Sequence, residues 1–471
     1  MLKVSNIKNI DYTERKRKGD SMFFYIQPSS KIVVQQTTRA YTYAQLVEDV
    51  QALKTQLEAP KKGIVVLQCR NDYETIVCYV ASLQSGHAVM LMNDPIEQEM
   101  LESIVATYEP LFLLGGIEVD GYEAISNGLY KRIGKQSYDV HEDVALLLST
   151  SGTTGNPKYV KLSYRNIQAN AESIVTYLNI TERERPLLNL PLSYSYGISI
   201  VNSHLLAGAT LLLTSKSVKL PSFWYFLKQF EATSIAGVPF TYQMMSRLGF
   251  LNMTFPSLHT MTQAGGHLDV HLVDRFCQYA VANQQQFYVM YGQTEASPRM
   301  AYVPPERLPD KLGTIGIPVP GGRFDIDENG ELIYYGDNVM MGYATNKDDL
   351  ARGDELRGCL RTGDVATMDE EGYVTLVGRL KSFIKIKGLR INLHDVEKRI
   401  AKKFNVTIAC VGKDGQIVAI VESGNSERIA HYICQHYNLH PNTVHVAVVE
   451  ELPHFHTGKL DYKTLRENYL T

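Results

Sequence analysis

The sequence is poor in the residues that mark several classes of protein. It contains one tryptophan and six cysteines in 471 residues, and no two cysteines form a C-x-x-C pair. Scattered cysteines of this kind favour reduced thiols over a disulfide framework or a zinc site. We therefore assign the cysteines no chemistry.

Long apolar segments are missing as well. Nowhere does the sequence place about 18 uncharged apolar residues in succession, which is what a membrane-spanning helix needs. The first 21 residues, MLKVSNIKNIDYTERKRKGDS, lack the apolar core of a secretory signal. We expect no membrane span and a cytoplasmic location.

An excess of positive charge is also absent. Lys and Arg number 47 against 50 for Asp and Glu, which gives a formal charge of −3, and no basic stripe suggests nucleic-acid binding. Apolar content of 44% and charged content of 21% are ordinary for a folded protein. A chain of this length exceeds a single core, so we expect more than one domain.

Short apolar runs alternate with helix-like stretches along most of the chain. This alternation is typical of βαβ units and predicts an α/β fold with buried, mostly parallel sheets stacked with helices. The runs are KIVVQQ, GIVVLQC, AVMLMN, LFLLGG, VALLLST, ATLLLTS, SIAGVPF and FYVMYG.

The pattern changes near Gly313. RFDIDENGELIYYG and MDEEGYVTLVGR combine turn residues with alternation, which predicts antiparallel hairpins. A charged amphipathic stretch at His394–Phe404 and short strands near Thr407–Val411 and Ile417–Val421 follow. We predict an N-terminal domain over residues 1–378, with a β-rich subdomain over about 313–378, and a small mobile α+β domain over 379–471.

One loop carries the strongest chemical signal. VALLLS leads into Ser149–Lys158, which reads S-T-S-G-T-T-G-N-P-K. Small residues let backbone N–H groups turn toward an anion, hydroxyls add donors, and the lysine adds a mobile positive charge. The loop is predicted to bind phosphate through Thr150, Ser151, Gly152, Thr153, Thr154, Gly155 and Lys158.

This loop differs from the Walker phosphate loop. Asn156 and Pro157 separate the second glycine from Lys158, and no Ser or Thr follows the lysine. A kinase or P-loop ATPase is therefore disfavoured. A flexible linker is the other reading, but linkers are seldom set between a buried strand and an amphipathic helix. Ser163 is placed to cap that helix, which we expect to continue through Leu178.

The loop resembles the signature of the adenylate-forming superfamily, which includes acyl-CoA synthetases, adenylation domains of nonribosomal peptide synthetases and beetle luciferases. Tyr159 stands where the family usually has glycine. Further matches follow in order at residues 291–295, 361–364, 378–397 and 457–459. The resemblance implies that a carboxylic acid and ATP with Mg²⁺ give an acyl-adenylate and pyrophosphate. The acyl group then passes to coenzyme A or to the phosphopantetheine of an acyl or peptidyl carrier protein.

Tyr291-Gly292-Gln293-Thr294-Glu295 resembles the family's nucleotide motif. The resemblance implies that the Tyr291 ring lies against adenine, that Thr294 donates to the α-phosphate, and that Glu295 holds Mg²⁺. These roles suit a π-face, a hydroxyl and a hard oxygen ligand. The adenine-side turn is expected at Gly265, Gly266 and His267.

Four further positions take their roles from the same resemblance. Asp364, in R-T-G-D, is expected to accept hydrogen bonds from the ribose hydroxyls. Arg379 is expected near ribose and phosphate. Lys459, in HTGKL, is expected to stabilise charge during attack on the α-phosphate. Lys381 is the expected hinge between the two domains.

The segment KIKGLR matches the loop that lines the family's pantetheine channel, which assigns Lys387 and Gly388 to the thiol path. Its presence favours a thioester-forming second step.

The acid pocket is expected at Tyr194, Ser195, Tyr196, Gly197 and Val238. Ser195 stands where amino-acid-activating relatives have aspartate, and a buried ammonium without a counter-charge is costly. We therefore expect a non-amino acid. The tyrosines either bind a polar small acid or are packed core residues. Two alternatives stay open: a stand-alone enzyme that loads an amino or hydroxy acid onto a carrier protein, and a non-catalytic nucleotide-binding protein.

Overall fold

A computed structural model describes most of the chain. The described residues are 22–116, 118–149, 158–380, 383–386, 389–454 and 460–470. Several predicted site residues lie outside them: Thr150, Ser151, Gly152, Thr153, Thr154, Gly155, Lys381, Lys387, Gly388 and Lys459. Their assignments stay predictions.

Strands and helices alternate through the first half of the chain, as predicted. In chain order they are β1 (Ile32–Gln35), β2 (Ala40–Thr42), α1 (Tyr43–Gln56), β3 (Ile64–Cys69), α2 (Tyr73–Gln84), β4 (Ala88–Asn93), α3 (Gln98–Tyr108), β5 (Phe112–Leu114), β6 (Tyr122–Ser126), β7 (Leu129–Arg132), β8 (Val144–Ser149), β9 (Tyr159–Ser163), α4 (Tyr164–Leu178), β10 (Pro186–Leu188), α5 (Ser195–Leu206), β11 (Leu211–Leu213), α6 (Pro221–Gln229), β12 (Ser234–Gly237), α7 (Pro239–Arg247), β13 (Thr260–Gln263), α8 (Val270–Ala282) and β14 (Gln286–Gly292).

The second half is richer in strands. Its elements are β15 (Arg299–Val303), β16 (Ile317–Pro318), β17 (Arg323–Ile326), β18 (Glu331–Tyr335), β19 (Gly342–Ala344), β20 (Cys359–Met368), β21 (Val374–Arg379), β22 (Phe383–Ile386), β23 (Leu389–Asn392), α9 (Leu393–Phe404), β24 (Ile408–Lys413), β25 (Gln416–Val421), α10 (Ser426–Tyr437), β26 (Val444–Val448) and α11 (Tyr462–Tyr469).

Two large sheets form the body of the molecule. One has the order β16-β15-β14-β13-β12-β10-β11-β1-β2, and the other has the order β19-β9-β8-β4-β3-β5-β7-β6. Their central strands are parallel, whereas the edge strands pair antiparallel. One apolar core cluster contains side chains of both sheets and of helices α4 and α5. The predicted α/β class with buried sheets is confirmed, because continuous apolar runs such as IVVLQC are covered on both faces.

The predicted hairpins form a separate antiparallel sheet in the order β17-β18-β20-β21. Two other strands of the same region join the large sheets instead, since β16 pairs with β15 and β19 pairs with β9. The region from Gly313 to Gly378 is thus tied to both large sheets.

The C-terminal region is a compact α+β unit. A three-stranded sheet, β24-β25-β26, packs against helices α9 and α10 around its own apolar core. Asn392 donates through Nδ2 to the Val377 carbonyl at 2.7 Å. A Cβ at Gly378 would lie 2.3 Å from the same Nδ2, so a larger residue there would displace the Asn392 amide. The boundary at residue 378 stays a prediction. None of the helices that the structure describes has the length and apolar character needed to cross a bilayer.

The segment between the phosphate loop and the next helix had no predicted structure of its own. Tyr159–Ser163 forms strand β9, which pairs antiparallel with β8. All five of its residues are buried, and that environment favours an extended strand between β8 and β19. The helix begins at Tyr164, and Ser163 caps it as predicted by accepting from the Asn166 N–H at 3.0 Å.

Strand β9 also carries a buried lysine. Lys161 is fully buried, and its Nζ donates to the carbonyls of Asp349 at 2.8 Å and Arg352 at 3.1 Å. We expect Lys161→Met to lower the free energy of unfolding by about 2–4 kcal/mol, because the two carbonyls lose a charged donor. Chemical unfolding followed by circular dichroism measures this change.

Lys61→Met is the matched control. Lys61 forms an exposed ion pair with Asp139 at 3.0 Å, and such pairs contribute about 0–1 kcal/mol. Equal stability of the two variants would contradict the structural role assigned to Lys161.

Candidate active site

Asp364 is the best-anchored carboxylate of the predicted site. It is 3% exposed and lies on β20. The register of β20 and β21 places Asp364 opposite Arg379, and Nε of Arg379 donates to Oδ1 at 2.8 Å. The sequence prediction that both residues serve one subsite is therefore consistent with their geometry.

The other oxygen of Asp364 faces the nucleotide motif at the end of β14. Oδ2 accepts from the Tyr291 hydroxyl at 2.5 Å and from Nε2 of Gln293 at 3.0 Å. Gln293 also donates to the Thr362 carbonyl at 2.9 Å. Burial, and then the charge of Asp364, raise the pKa of Tyr291, so the phenol stays a donor. These bonds fix the Tyr291 hydroxyl beside Asp364.

Glu295 and Lys158 meet through a tyrosine from β19. The Tyr343 hydroxyl donates to Oε1 of Glu295 at 2.9 Å. Nζ of Lys158 lies 3.3 Å from the centre of the Tyr343 ring, within the range of a cation–π contact. The last residue of the phosphate loop is thus brought to the predicted metal ligand.

Two substitutions of Tyr343 distinguish the contribution of its hydroxyl from that of its ring. We expect Tyr343→Leu to raise KM for ATP about tenfold, because it removes both the hydrogen bond to Glu295 and the ring under Lys158. Tyr343→Phe keeps the ring and should show a smaller increase. Steady-state kinetics at varied ATP and Mg²⁺ measure both effects, and equal KM values for the two variants would contradict the cation–π role.

Thr294 connects the nucleotide motif to the predicted acid pocket. Its Oγ1 lies 3.1 Å from Oγ of Ser195, and Ser195 is the first residue of α5. The neighbouring Tyr196 is 2% exposed, and its hydroxyl lies 2.8 Å from Oγ1 of Thr262. Burial raises the pKa of Tyr196 to about 12, so this phenol is neutral at ordinary pH.

The other predicted pocket residues lie close by. The Tyr194 ring packs edge-on against Tyr196 with centroids 6.2 Å apart. Val238 is 4% exposed and precedes α7. A Cβ at Gly197 would lie 2.1 Å from the Pro191 carbonyl oxygen, so the helix start can approach that carbonyl only with glycine.

Two glycines of the predicted nucleotide site depend on the absence of a Cβ. Gly265 needs it for its backbone angle, and Gly292 needs it for a close contact with a neighbouring carbonyl. Gly265 has a φ of +85°, and the Gly266 carbonyl accepts from Nε2 of Gln263 at 3.0 Å. The His267 ring lies 6.0 Å from the ring of His394 on α9. A Cβ at Gly292 would lie 1.8 Å from the Pro298 carbonyl oxygen, so Gly292 serves the fold of the motif.

The residues present fit a magnesium ion. Within the described ranges, no three His, Cys, Asp or Glu side chains form a metal-binding group. Mg²⁺ bound to a nucleotide commonly takes one or two protein carboxylates and completes its shell with phosphate oxygens and water. Glu295, whose Oε1 is held by Tyr343, fits that role.

Two residues of this site were not predicted from the sequence. Gln293 is part of the motif but was given no role. Tyr343 carries no local signal, because its position depends on the pairing of β19 with β9.

A family model described as AMP-binding enzyme matches residues 25–344. Among curated proteins, 2-succinylbenzoate–CoA ligase of Staphylococcus aureus strain MSSA476 is 25% identical, with alignment over 93% of this chain and 97% of that protein. The same enzyme of strain RF122 is 24% identical with the same coverage.

Solved structures show a similar fold. o-Succinylbenzoate CoA synthetase (MenE) from Bacillus subtilis, in complex with its acyl-adenylate intermediate, superposes with a TM-score of 0.75 at 21% identity, covering 93% of this chain and 95% of that chain. ATP-bound MatB from Rhodopseudomonas palustris gives a TM-score of 0.75 at 22% identity, covering 94% and 96%. The chain therefore shares the α/β architecture of these enzymes.

Proposed function

The chain belongs to the family of AMP-binding enzymes, and on that basis we propose that it is an AMP-forming acid–thiol ligase. It activates a carboxylic acid with ATP to an acyl-adenylate and pyrophosphate, and it then transfers the acyl group to a thiol. The observation that carries this proposal is the contact of Lys158 with Tyr343 and of Tyr343 with Glu295. It joins the end of the phosphate loop to the carboxylate that suits Mg²⁺.

In this proposal, different described residues bind different parts of ATP. Asp364 accepts from the ribose hydroxyls, and Arg379 supports it. Tyr291 offers a π-face to adenine, with Gly265, Gly266 and His267 on the adenine side. Thr294 donates to the α-phosphate. Mg²⁺, when bound at Glu295, offsets phosphate charge.

Adenylation also needs a positive charge at the α-phosphate as the acid attacks. Lys459 supplies it in this proposal, and Thr150–Gly155 hold the phosphates; both lie outside the described residues. Lys381 is the proposed hinge, with Lys387 and Gly388 on the thiol path.

Coenzyme A is the proposed thiol acceptor. The relatives of similar length are named CoA ligases, and KIKGLR resembles a thiol-channel loop. A carrier-protein phosphopantetheine is the alternative acceptor, and trials with both thiols separate them. A cytoplasmic location stays a prediction.

Substrate-dependent exchange of labelled pyrophosphate into ATP tests the first half-reaction. The acid panel contains 2-succinylbenzoate, the acid in the name of the relatives above, together with short hydroxy, branched, aryl and amino acids. We expect exchange with at least one non-amino acid and AMP as the nucleotide product. ADP as the product would place the enzyme in another class. Binding of ATP without exchange over the whole panel would favour the non-catalytic alternative.

A further inference from the structure

The C-terminal unit contains a buried carboxylate that binds no part of ATP in the proposed function. Glu397 lies on α9 and is 7% exposed. Its Oε1 accepts from the Cys410 N–H at 2.6 Å and from the Tyr462 hydroxyl at 2.9 Å. Its Oε2 lies 2.9 Å from Nδ1 of His394. A buried carboxylate is costly unless it is hydrogen-bonded, so these contacts join three parts of the unit: α9, β24 and the start of α11.

Tyr462 belongs to the stem of the segment that carries Lys459. The stem consists of residues 453–454 and 460–462, and the residues between them lie outside the described ranges. The two sides of the stem are joined by an antiparallel bridge between His454 and Leu460. Lys459 is covalently joined to Leu460, so the stem sets the place from which the lysine extends.

The Tyr462 hydroxyl connects the stem to a distant part of the unit. Other contacts of the stem are local: the Asp461 N–H donates to the Pro453 carbonyl at 2.8 Å, and the Asp461 carboxylate caps the first turn of α11. The bond from Tyr462 to Glu397 instead spans 65 residues of sequence. Burial, and then the charge of Glu397, raise the pKa of Tyr462, so its phenol stays a donor.

Helix α9 brings this carboxylate close to the nucleotide-binding part of the chain. His394 lies in the first turn of α9, and its ring stands edge-on to the ring of His267 with centroids 6.0 Å apart. His267 belongs to the turn proposed for the adenine side. Helix α9 also contacts β21, which ends at Arg379. Glu397 therefore holds the stem on one oxygen and, on the other, a histidine that faces the proposed nucleotide site.

We propose that Glu397 is a positioning residue for adenylation, which fixes the stem against α9 by accepting from Tyr462. This inference rests on the proposed ligase function, in which Lys459 acts at the α-phosphate. Glu397 and Tyr462 act through that lysine and have no assigned contact with the reacting atoms. A shift of about 1 Å in a catalytic group can lower a rate about 100-fold, so a loosened stem should lower kcat more than it changes ATP binding.

The first test is Tyr462→Phe, which removes the hydroxyl alone. The Cys410 N–H stays on Oε1 of Glu397, so the fold should survive. We expect kcat for single-turnover adenylation to fall about tenfold, as the loss of one hydrogen bond allows. KM for ATP should stay within about twofold. Thioester formation from preformed acyl-adenylate and coenzyme A should not change, because that step does not use Lys459 at the α-phosphate.

Tyr437→Phe is the matched control. The Tyr437 hydroxyl donates from α10 to Oδ2 of Asp395 on α9 at 2.7 Å, so this variant loses the same kind of bond to the same helix, away from the stem. Both half-reactions should keep their rates in it. The inference is overturned by wild-type adenylation in Tyr462→Phe, by an equal loss in its two half-reactions, or by the same selective loss in Tyr437→Phe.

Two variants of the carboxylate test the other partner of the bond. Glu397→Gln keeps an oxygen for the Tyr462 hydroxyl, whereas Glu397→Leu keeps none. The ratio of the adenylation rate to the thioester-forming rate should fall from wild type to Glu397→Gln and further to Glu397→Leu. Both rates come from one preparation, so their ratio does not depend on the folded fraction. A wild-type ratio in Glu397→Leu would contradict the positioning role.

Absence of exchange with every acid by the wild-type enzyme would reject the proposed function instead. Hydrogen–deuterium exchange then examines the stem by itself. Faster exchange of the backbone amides of residues 460–462 in Tyr462→Phe, but not in Tyr437→Phe, would support the anchoring of the stem by Glu397. Equal exchange in the two variants would overturn it.

Discussion

Replacing Asp364 by asparagine is expected to lower kcat/KM for ATP in the exchange reaction about 100-fold. The carboxylate is buried and already accepts from three side chains, those of Tyr291, Gln293 and Arg379. In the proposed function it also accepts from the ribose, and charge-assisted hydrogen bonds contribute about 1.5–3 kcal/mol each. Exchange kinetics at varied ATP, with the best acid of the panel at saturation, measure the loss.

The fold should survive this substitution. Asparagine has nearly the same shape as aspartate, and the Arg379 side chain is 68% exposed, so water can solvate the charge that loses its partner. Asp325→Asn is the control, since Asp325 lies on β17 of the same sheet with 59% exposure. An Asp364→Asn enzyme with the ATP kinetics of this control would exclude Asp364 from the nucleotide site.

Replacing Lys459 by alanine is expected to lower kcat for adenylation about 100- to 1,000-fold. The proposed ammonium acts on charge that develops as the acid attacks the α-phosphate, and the removal of one such group costs that much in comparable sites. Binding of ATP should change little, because its ribose and adenine contacts lie on other residues. Single-turnover formation of acyl-adenylate, together with ATP binding by calorimetry, separates the two quantities.

The thioester-forming half-reaction, measured by itself, shows whether Lys459 acts only in adenylation. Lys459→Ala supplied with a preformed acyl-adenylate and coenzyme A should still form thioester, because that step does not need charge at the α-phosphate. Lys463→Ala is the matched control; Lys463 forms a helix-surface ion pair with Glu467 at 3.3 Å. Full adenylation activity in Lys459→Ala would remove the lysine from the mechanism.

Much of the fold could be predicted because many of its strands are continuous apolar segments, which can be recognised in the sequence without knowing their partners. IVVLQC and AVMLMN form β3 and β4, which pair in parallel, and the two Gly- and Asp-containing segments form hairpins. Strand β9 could not be predicted in the same way. Its burial depends on β19, which lies about 180 residues further along the chain.

The candidate site shows the same division. Asp364 and Glu295 belong to contiguous motifs, and the resemblance to a family assigned them roles. Tyr343 reaches Glu295 through a contact that only the folded chain creates, the pairing of β19 with β9. Periodicity reports which face of a strand is buried, but not which distant side chain meets it.

The contact between Ser195 and Thr294 has a thermodynamic consequence. The two hydroxyls share one hydrogen bond, although one is assigned to the acid and the other to the α-phosphate. In the proposed function, an acid that engages Ser195 changes what Thr294 can donate, and we therefore expect the two substrates to be energetically linked. Such linkage is reciprocal: the factor by which an acid alters the dissociation constant of ATP equals the factor by which ATP alters that of the acid. The enzyme should therefore recognise its acid partly through the affinity for the nucleotide that the acid creates.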